Sequence, residues 1–400
     1  MKMIKNIISA NYILYILIAI LPAVILSPSA IINVSIILCN LLYLYIIFIE
    51  KKITLKKSFS FHVLVFFFCS LLINLIFSLF PENSLSRIFG FLRFILLVFA
   101  LQLVLENFSN VFKKKIFLSW TLIFVVISFD LLIEFSTGTN LLGNKSYMPG
   151  RLSSVLGNEL KIGNYYYAFG LLIASFLYYK FKNNNLVYIT LALTLFISFI
   201  IGERSNFIKY VFMTILYLFL FDRKKIFFKI LAILISLLIL FTFIFSNNTY
   251  KVRFWDMFIG EFSGNLNITQ IINKSPYGGH WNAAYEIFKD NKIFGVGIKN
   301  YRIVSGDEKY FNKDVTFSIT RQITHPHQLH LEFLSETGLF GFVCFLIFVV
   351  TSAFIGFKNY ILNNNLFALS ALLFFLASTL LPLPSGSFFT TYGAIIFWIN

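Results

Sequence analysis

The stretch Thr324-His-Pro-His-Gln-Leu-His-Leu-Glu-Phe-Leu-Ser-Glu-Thr-Gly-Leu-Phe-Gly341 decides how this chain is read. It holds three of the five histidines, His325, His327 and His330, and two carboxylates, Glu332 and Glu336. A long polar segment ends there and an apolar run begins. That is the pattern of a helix passing into a bilayer with ionisable groups kept at the water boundary.

Outward from that stretch, the chain is 58% hydrophobic and 12% charged, with 52 phenylalanines. Apolar runs long enough to cross a bilayer recur from end to end, which predicts an all-α polytopic membrane protein. About twelve spans are expected, at 8–26, 29–49, 59–80, 88–105, 116–136, 163–180, 186–201, 206–221, 226–246, 331–355, 366–382 and 387–399. Three parts follow: residues 1–246 with spans one to nine, a loop of short helices over 247–330, and residues 331–400 with the last three spans. The first thirty residues mimic a signal peptide, but a further apolar run follows at once, so an uncleaved first span is expected.

The net charge of +16 reflects basic loops that set topology and touch anionic lipid, not nucleic acid. Lys51, Lys52, Lys56, Lys57, Lys113 to Lys115, Lys180, Lys182, Arg223, Lys224, Lys225 and Lys358 all fall in loops on one side of the predicted bundle. The positive-inside rule makes that side cytoplasmic. The other side receives 81–87, 137–163, 202–205, 247–330 and 383–387. Within 247–330, Trp281 to Lys292 reads as a short amphipathic helix with Ala284, Ile287 and Phe288 on one face, and Gly295-Val-Gly297 as the turn after it. Cys39, Cys69 and Cys344 lie in apolar runs without metal-ligand spacing.

Three groups of residues could carry chemistry. Pro326 suits the first position of a helix, which puts His327, Leu331, Leu334, Gly338 and Gly341 on one face. Glu332 and Glu336 then sit roughly 140° and 180° round from His327. The histidines read as a proton-transfer site, as interfacial caps or as metal ligands; the proline between two of them and the want of a fourth ligand count against metal. Arg204, in Gly202-Glu-Arg-Ser205, suits a phosphate or snorkels to the interface. Arg93 and Asp130, inside spans four and five, mark a site or pair with each other. Lys209 and Lys229 are expected to snorkel. No Gly-x-x-x-x-Gly-Lys loop, Asp-x-Asp pair or Gly-x-Ser-x-Gly elbow occurs. The chemistry therefore calls for a donor already in the membrane.

The stretch His325 to Gly341 resembles the signature of the O-antigen polymerase and O-antigen ligase superfamily, with His327, Leu331, Glu336, Gly338 and Gly341 in the family's places and Gln328 where asparagine is commoner. Asp130 to Gly143, Gly150 to Glu159, Glu203-Arg204-Ser205, Gly279-His280, Phe288 to Gly297, Asn300-Tyr-Arg302 and Pro384 to Phe389 extend the resemblance in order.

The resemblance implies a GT-C-like helical glycosyltransferase of the bacterial inner membrane, with its active site on the periplasmic face and no metal or other cofactor. The donor would be a glycan on undecaprenyl pyrophosphate. The acceptor would be a hydroxyl on a second lipid-linked glycan or on lipid A core, and a polymerase would add a chain-length regulator as partner. His327 would be the base and Arg204 the pyrophosphate-binding residue, helped by Arg151, His280, Arg302, Arg321 and His325. Arg93, Asp130 and Glu336 would serve structure or charge pairing. A polymerase is preferred over a ligase because Gly279 to Asn300 resembles polymerases more closely. A lipid-linked glycan flippase is the rival from another class, but it calls for polar residues at the midplane, whereas here they crowd one end.

Overall fold

A computed structural model describes residues 10–50, 59–157, 159–222, 226–257 and 267–400. The basic residues at 51–57 and 223–225, and Lys2 and Lys5, lie outside the described residues. Among the described residues the fold is all helix, with no strand. Among the described residues, seven helices are long and apolar enough to cross a membrane. They are Ser29–Glu50, Phe59–Ile76, Pro81–Asn107, Asn110–Thr137, Arg204–Phe221, Lys229–Ser246 and Leu329–Asn363. Ala10–Ala19, Asn184–Ile200 and Leu366–Thr379 are apolar but shorter.

The first and last of the expected twelve spans take a different form from the one expected. The run at 8–26 breaks at Ile20 into Ala10–Ala19 and Leu21–Ile25, because Pro22 lacks the amide that would continue the ladder. The last run gives only Thr391–Trp398. Eight residues at about 1.5 Å each reach roughly 12 Å, short of the roughly 30 Å hydrocarbon layer.

We label Asn110–Thr137 α1, Ile162–Phe181 α2, Arg204–Phe221 α3, Gly278–Asp290 α4 and Leu329–Asn363 α5. Helix α2 is the central column. It is buried along most of its length, with Tyr165, Tyr166, Phe169 and Phe176 fully enclosed. The opposite extreme is Ile226–Ser246, which turns Phe227, Leu234, Leu238 and Ile239 outward.

Many of the phenylalanines have a packing role. Phe67 stacks on Phe348 at 4.8 Å, Phe333 on Phe345 at 4.1 Å, and Phe388 sits edge-on to Phe333 at 5.3 Å. These rings weld Phe59–Ile76 and α5 to the late loop after residue 380.

Helix α5 carries a break. Gly338 sits at φ +64°, outside helical geometry. The main-chain groups freed there are taken up by 292–297: Leu339 N–H donates to Lys292 O at 2.8 Å and Phe340 N–H to Ile293 O at 3.0 Å, while Val296 N–H donates to Ser335 O and Gly297 N–H to Glu336 O. A Cβ on Gly338 would lie 2.3 Å from Ile293 O. Only glycine admits this wedge. The segment 267–328 has its own small core of Ala283, Ala284, Ile287, Val296, Tyr301 and Tyr310. Helix α4 presents the expected apolar face, with Phe288 at its margin.

Candidate functional site

The helix directions gather the distinctive residues at one end: the C-terminal end of α1, the N-terminal ends of α2, α3 and α5, and the late loop. Two carboxylates at the exit of α1 shape the next loop. Asp130 accepts from Leu141 N–H at 2.7 Å and from Ser154 Oγ–H. Glu134 accepts from the N–H groups of Ser153 and Ser154 at 3.0 and 2.7 Å. The expected pairing of Asp130 with Arg93 is therefore corrected. Arg93 instead donates to Thr391 Oγ1 at 3.2 Å and lies over the Phe94 ring.

The loop so held delivers Arg151 to the start of α3. Leu152 N–H donates to Ile201 O at 3.1 Å. Gly202 presses so close to Gly150 that a Cβ would overlap its carbonyl oxygen, at 1.9 Å. Glu203 is buried at the junction and accepts from Gly163 N–H at 2.9 Å, capping the first turn of α2. Its second partners are Asn206 and Arg151, the latter 3.7 Å away. Burial raises the Glu203 carboxyl above its usual range, against the opposing pull of Arg151 and the Gly163 amide.

Arg204 opens α3, half-buried beside Glu203. A third arginine joins, which the sequence reading missed. Arg253 stands on the π-helical turn Val252–Asp256 and donates through Nε to Gly202 O at 2.6 Å. Burial first, then the neighbouring charges of Arg151 and Arg204, bring its guanidinium down to about 10, still cationic at neutral pH. Arg151, Arg204 and Arg253 thus form one cationic cluster, with Glu203 among them. The hint available in the sequence was its position just past the run 226–246, on the same side as Arg204. Lys209, expected to snorkel, is buried 5.8 Å from the Tyr167 ring centre and lines a small cavity with Ser385 to Phe388. Lys229 is buried too, donating to Leu218 O.

The histidines form the second half. Gln328, not Pro326, starts α5: its side chain caps the helix by accepting from Leu331 N–H at 2.6 Å. His327 therefore lies before the helix, at φ +55°, a sparsely populated region for a residue with a side chain. The predicted shared face with Leu331 and Gly338 does not form. His325 and His327 rings are 4.2 Å apart, and His280, from α4, lies 5.8 Å from His327. His330 turns away to Gln328 and Phe342. Burial lowers all three clustered imidazoles: His280 to about 4, His325 to about 3, and His327 below its usual value. They are neutral at pH 7. His325 Nε2, His280 Nδ1 and Ser385 Oγ are buried without a hydrogen-bond partner among the described residues. Such atoms suit a hydrogen-bonding ligand. Among the described residues no three His, Cys, Asp or Glu groups are arranged to hold a metal ion.

Tyr277 links the halves. Its ring is 5.7 Å from that of His327, and its hydroxyl is within electrostatic reach of Arg253. On the far side, Ser385 N–H donates to His327 O at 2.9 Å. The late loop is pinned in turn by Glu332, which accepts from Phe388 N–H at 2.9 Å and from Ser387 Oγ–H, and by buried Lys299, 3.5 Å from Glu332. Glu336 is fully buried against the Lys299–Tyr301 main chain.

The remaining predicted residues stand apart. Arg321 is buried and its guanidinium donates to the carbonyls of Ser318, Gly306 and Asp307, so it braces its own loop. Arg302 is exposed on Tyr301–Val304.

Residues 186–346 match the family model described as O-antigen ligase. No curated protein matches the chain. The matched segment runs through Arg204, Arg253, His280, His325, His327 and the Gly338 break. It supports the O-antigen ligase and polymerase superfamily and a glycan-transfer function related to O-antigen.

Proposed function

We propose that this chain, as a member of that superfamily, is a polymerase of surface glycan. It moves a glycan from undecaprenyl pyrophosphate to a sugar hydroxyl on a second lipid-linked glycan, at the periplasmic face of the inner membrane. One observation carries the reading: a cluster of three arginines and three close imidazoles, His280 and His325 buried and His327 half-buried, share one end of the bundle, with Tyr277 between them.

His327 takes the proton of the acceptor hydroxyl as its oxygen attacks the anomeric carbon of the donor. The bond from that carbon to the pyrophosphate oxygen breaks, and its electron pair leaves with the pyrophosphate. A neutral imidazole at pH 7 is the form able to accept a proton, and a positioned base is worth roughly 10²–10⁴-fold. Arg204, with Arg151 and Arg253, meets the charge of the leaving group in a poorly solvated setting. Arg302 and Arg321 are left out of the pyrophosphate site, the one exposed and the other engaged with carbonyls. Transfer to lipid A core, a ligase reaction, is the second reading, favoured by the description of the matched family.

The test is deletion of the gene followed by analysis of the surface glycan. Single repeat units on core indicate a polymerase. Long polymer stranded on undecaprenyl indicates a ligase. An unaltered glycan overturns both.

A further inference from the structure

The opposite end of the bundle holds a cavity that the proposed reaction does not use. It has a volume of about 560 Å³ and lies among the C-terminal end of α2, the N-terminal end of α1 and the turn Asn363 to Asn365. Lys113, Lys114 and Lys182 line it, together with Tyr178 and Tyr179. Lys182 lies 5.3 Å from the ring centres of both tyrosines, and Lys114 5.6 Å from that of Tyr179. Lys113 donates to Leu105 O at 3.0 Å. Among the described residues no carboxylate side chain lines this cavity.

A second crevice of about 240 Å³ shares the walls Leu105, Phe117, Asn365 and Phe367 with the first. It is lined mainly by apolar groups, among them Val104, Trp120, Leu172 and Ala371. A cationic mouth thus adjoins an apolar slot on the flank of α1, a helix long and apolar enough to cross a membrane.

We propose that this composite cavity binds an anionic glycerophospholipid, its phosphate among Lys113, Lys114 and Lys182 and one acyl chain in the crevice. Free phosphate would leave the slot unfilled, and a zwitterionic lipid would bring a headgroup cation of its own beside the three lysines. Lysines near a membrane surface each favour an anionic headgroup, and a charge partly withdrawn from water gains more from its partner. The inference does not depend on the transferase reading, since the two sites lie at opposite ends of α1 and α2.

The test is native mass spectrometry of the full chain released from neutral detergent, titrated with phosphatidylglycerol and phosphatidylcholine in turn. The wild type should retain one phosphatidylglycerol with a preference of about tenfold or more over phosphatidylcholine. The triple variant K113Q/K114Q/K182Q should lose that preference. The control K115Q/K180Q, which changes lysines outside the cavity, should keep it. Ala371→Phe, which narrows the slot, should lower retention with the lysines intact. Equal retention of the two lipids by the wild type overturns the proposal, as does an unchanged preference in the triple variant. Glycerophosphoglycerol competing as well as the whole lipid would remove the crevice from the site and overturn it too.

Discussion

At the residue scale, the chemistry rests on protonation state. Above the unfolded value of about 6.5 the histidines are neutral in both the folded and unfolded chain. Below it the unfolded chain takes up protons first, because burial holds His280 to about 4 and His325 to about 3 in the fold. Stability is therefore kept above pH ~6.5 and lost as pH falls toward those lower values. The melting temperature in detergent should drop across that window, and H280N/H325N should flatten the slope. For the reaction, the acid limb of kcat/KM should fall below pH ~6.5, since His327 is also lowered. An inflexion above 7 would remove His327 from the role of base. His327→Ala and Arg204→Ala should each abolish product with the protein still inserted. Arg253→Ala should lower turnover by about tenfold or more, the cost of one charge-assisted contact of about 1.5–3 kcal/mol. Transfer assays on membranes with matched protein levels check all three.

At the scale of elements, the sequence was most informative where a single segment decides its own state. Long apolar runs had to be helices, and the helices over 59–76, 162–181 and 226–246 appear near their expected limits. The start of α5 was misplaced because two local signals compete: Pro326 is an acceptable first helical residue, but the Gln328 side chain captures the Leu331 amide. The roles of Asp130, Lys209 and Arg253 were illegible for another reason. Their partners, Ser154, Tyr167 and Gly202, come from elsewhere in the chain, and no periodicity encodes that. Gly338→Ala should destabilise the fold by about 2 kcal/mol or more, combining a left-handed backbone with a clash on main-chain oxygen. Lys299→Met alone should cost about 3–5 kcal/mol by stranding Glu332, and K299M/E332Q should recover part of it. Thermal unfolding monitored by circular dichroism reads both.

At the scale of the whole molecule, the two ends differ in kind. One collects arginine, histidine and buried carboxylate; the other collects lysine, tyrosine and asparagine turns. The proposed orientation puts the first outside and the second inside. A single cysteine at Lys145 should react with an impermeant maleimide in spheroplasts, whereas one at Asn184 should react only after permeabilisation. The reverse pattern would invert the molecule and remove the periplasmic reading.

The wedge at Gly338 also bears on the order of biogenesis. Residues 292–297, and the Asn74 side chain that donates to Phe294 O, are synthesised before any of 329–363 leaves the ribosome. The cradle is thus waiting when the last long hydrophobic segment arrives. The bend depends on that cradle, so replacing 292–297 by a flexible linker should straighten the segment at residue 338 even with Gly338 intact.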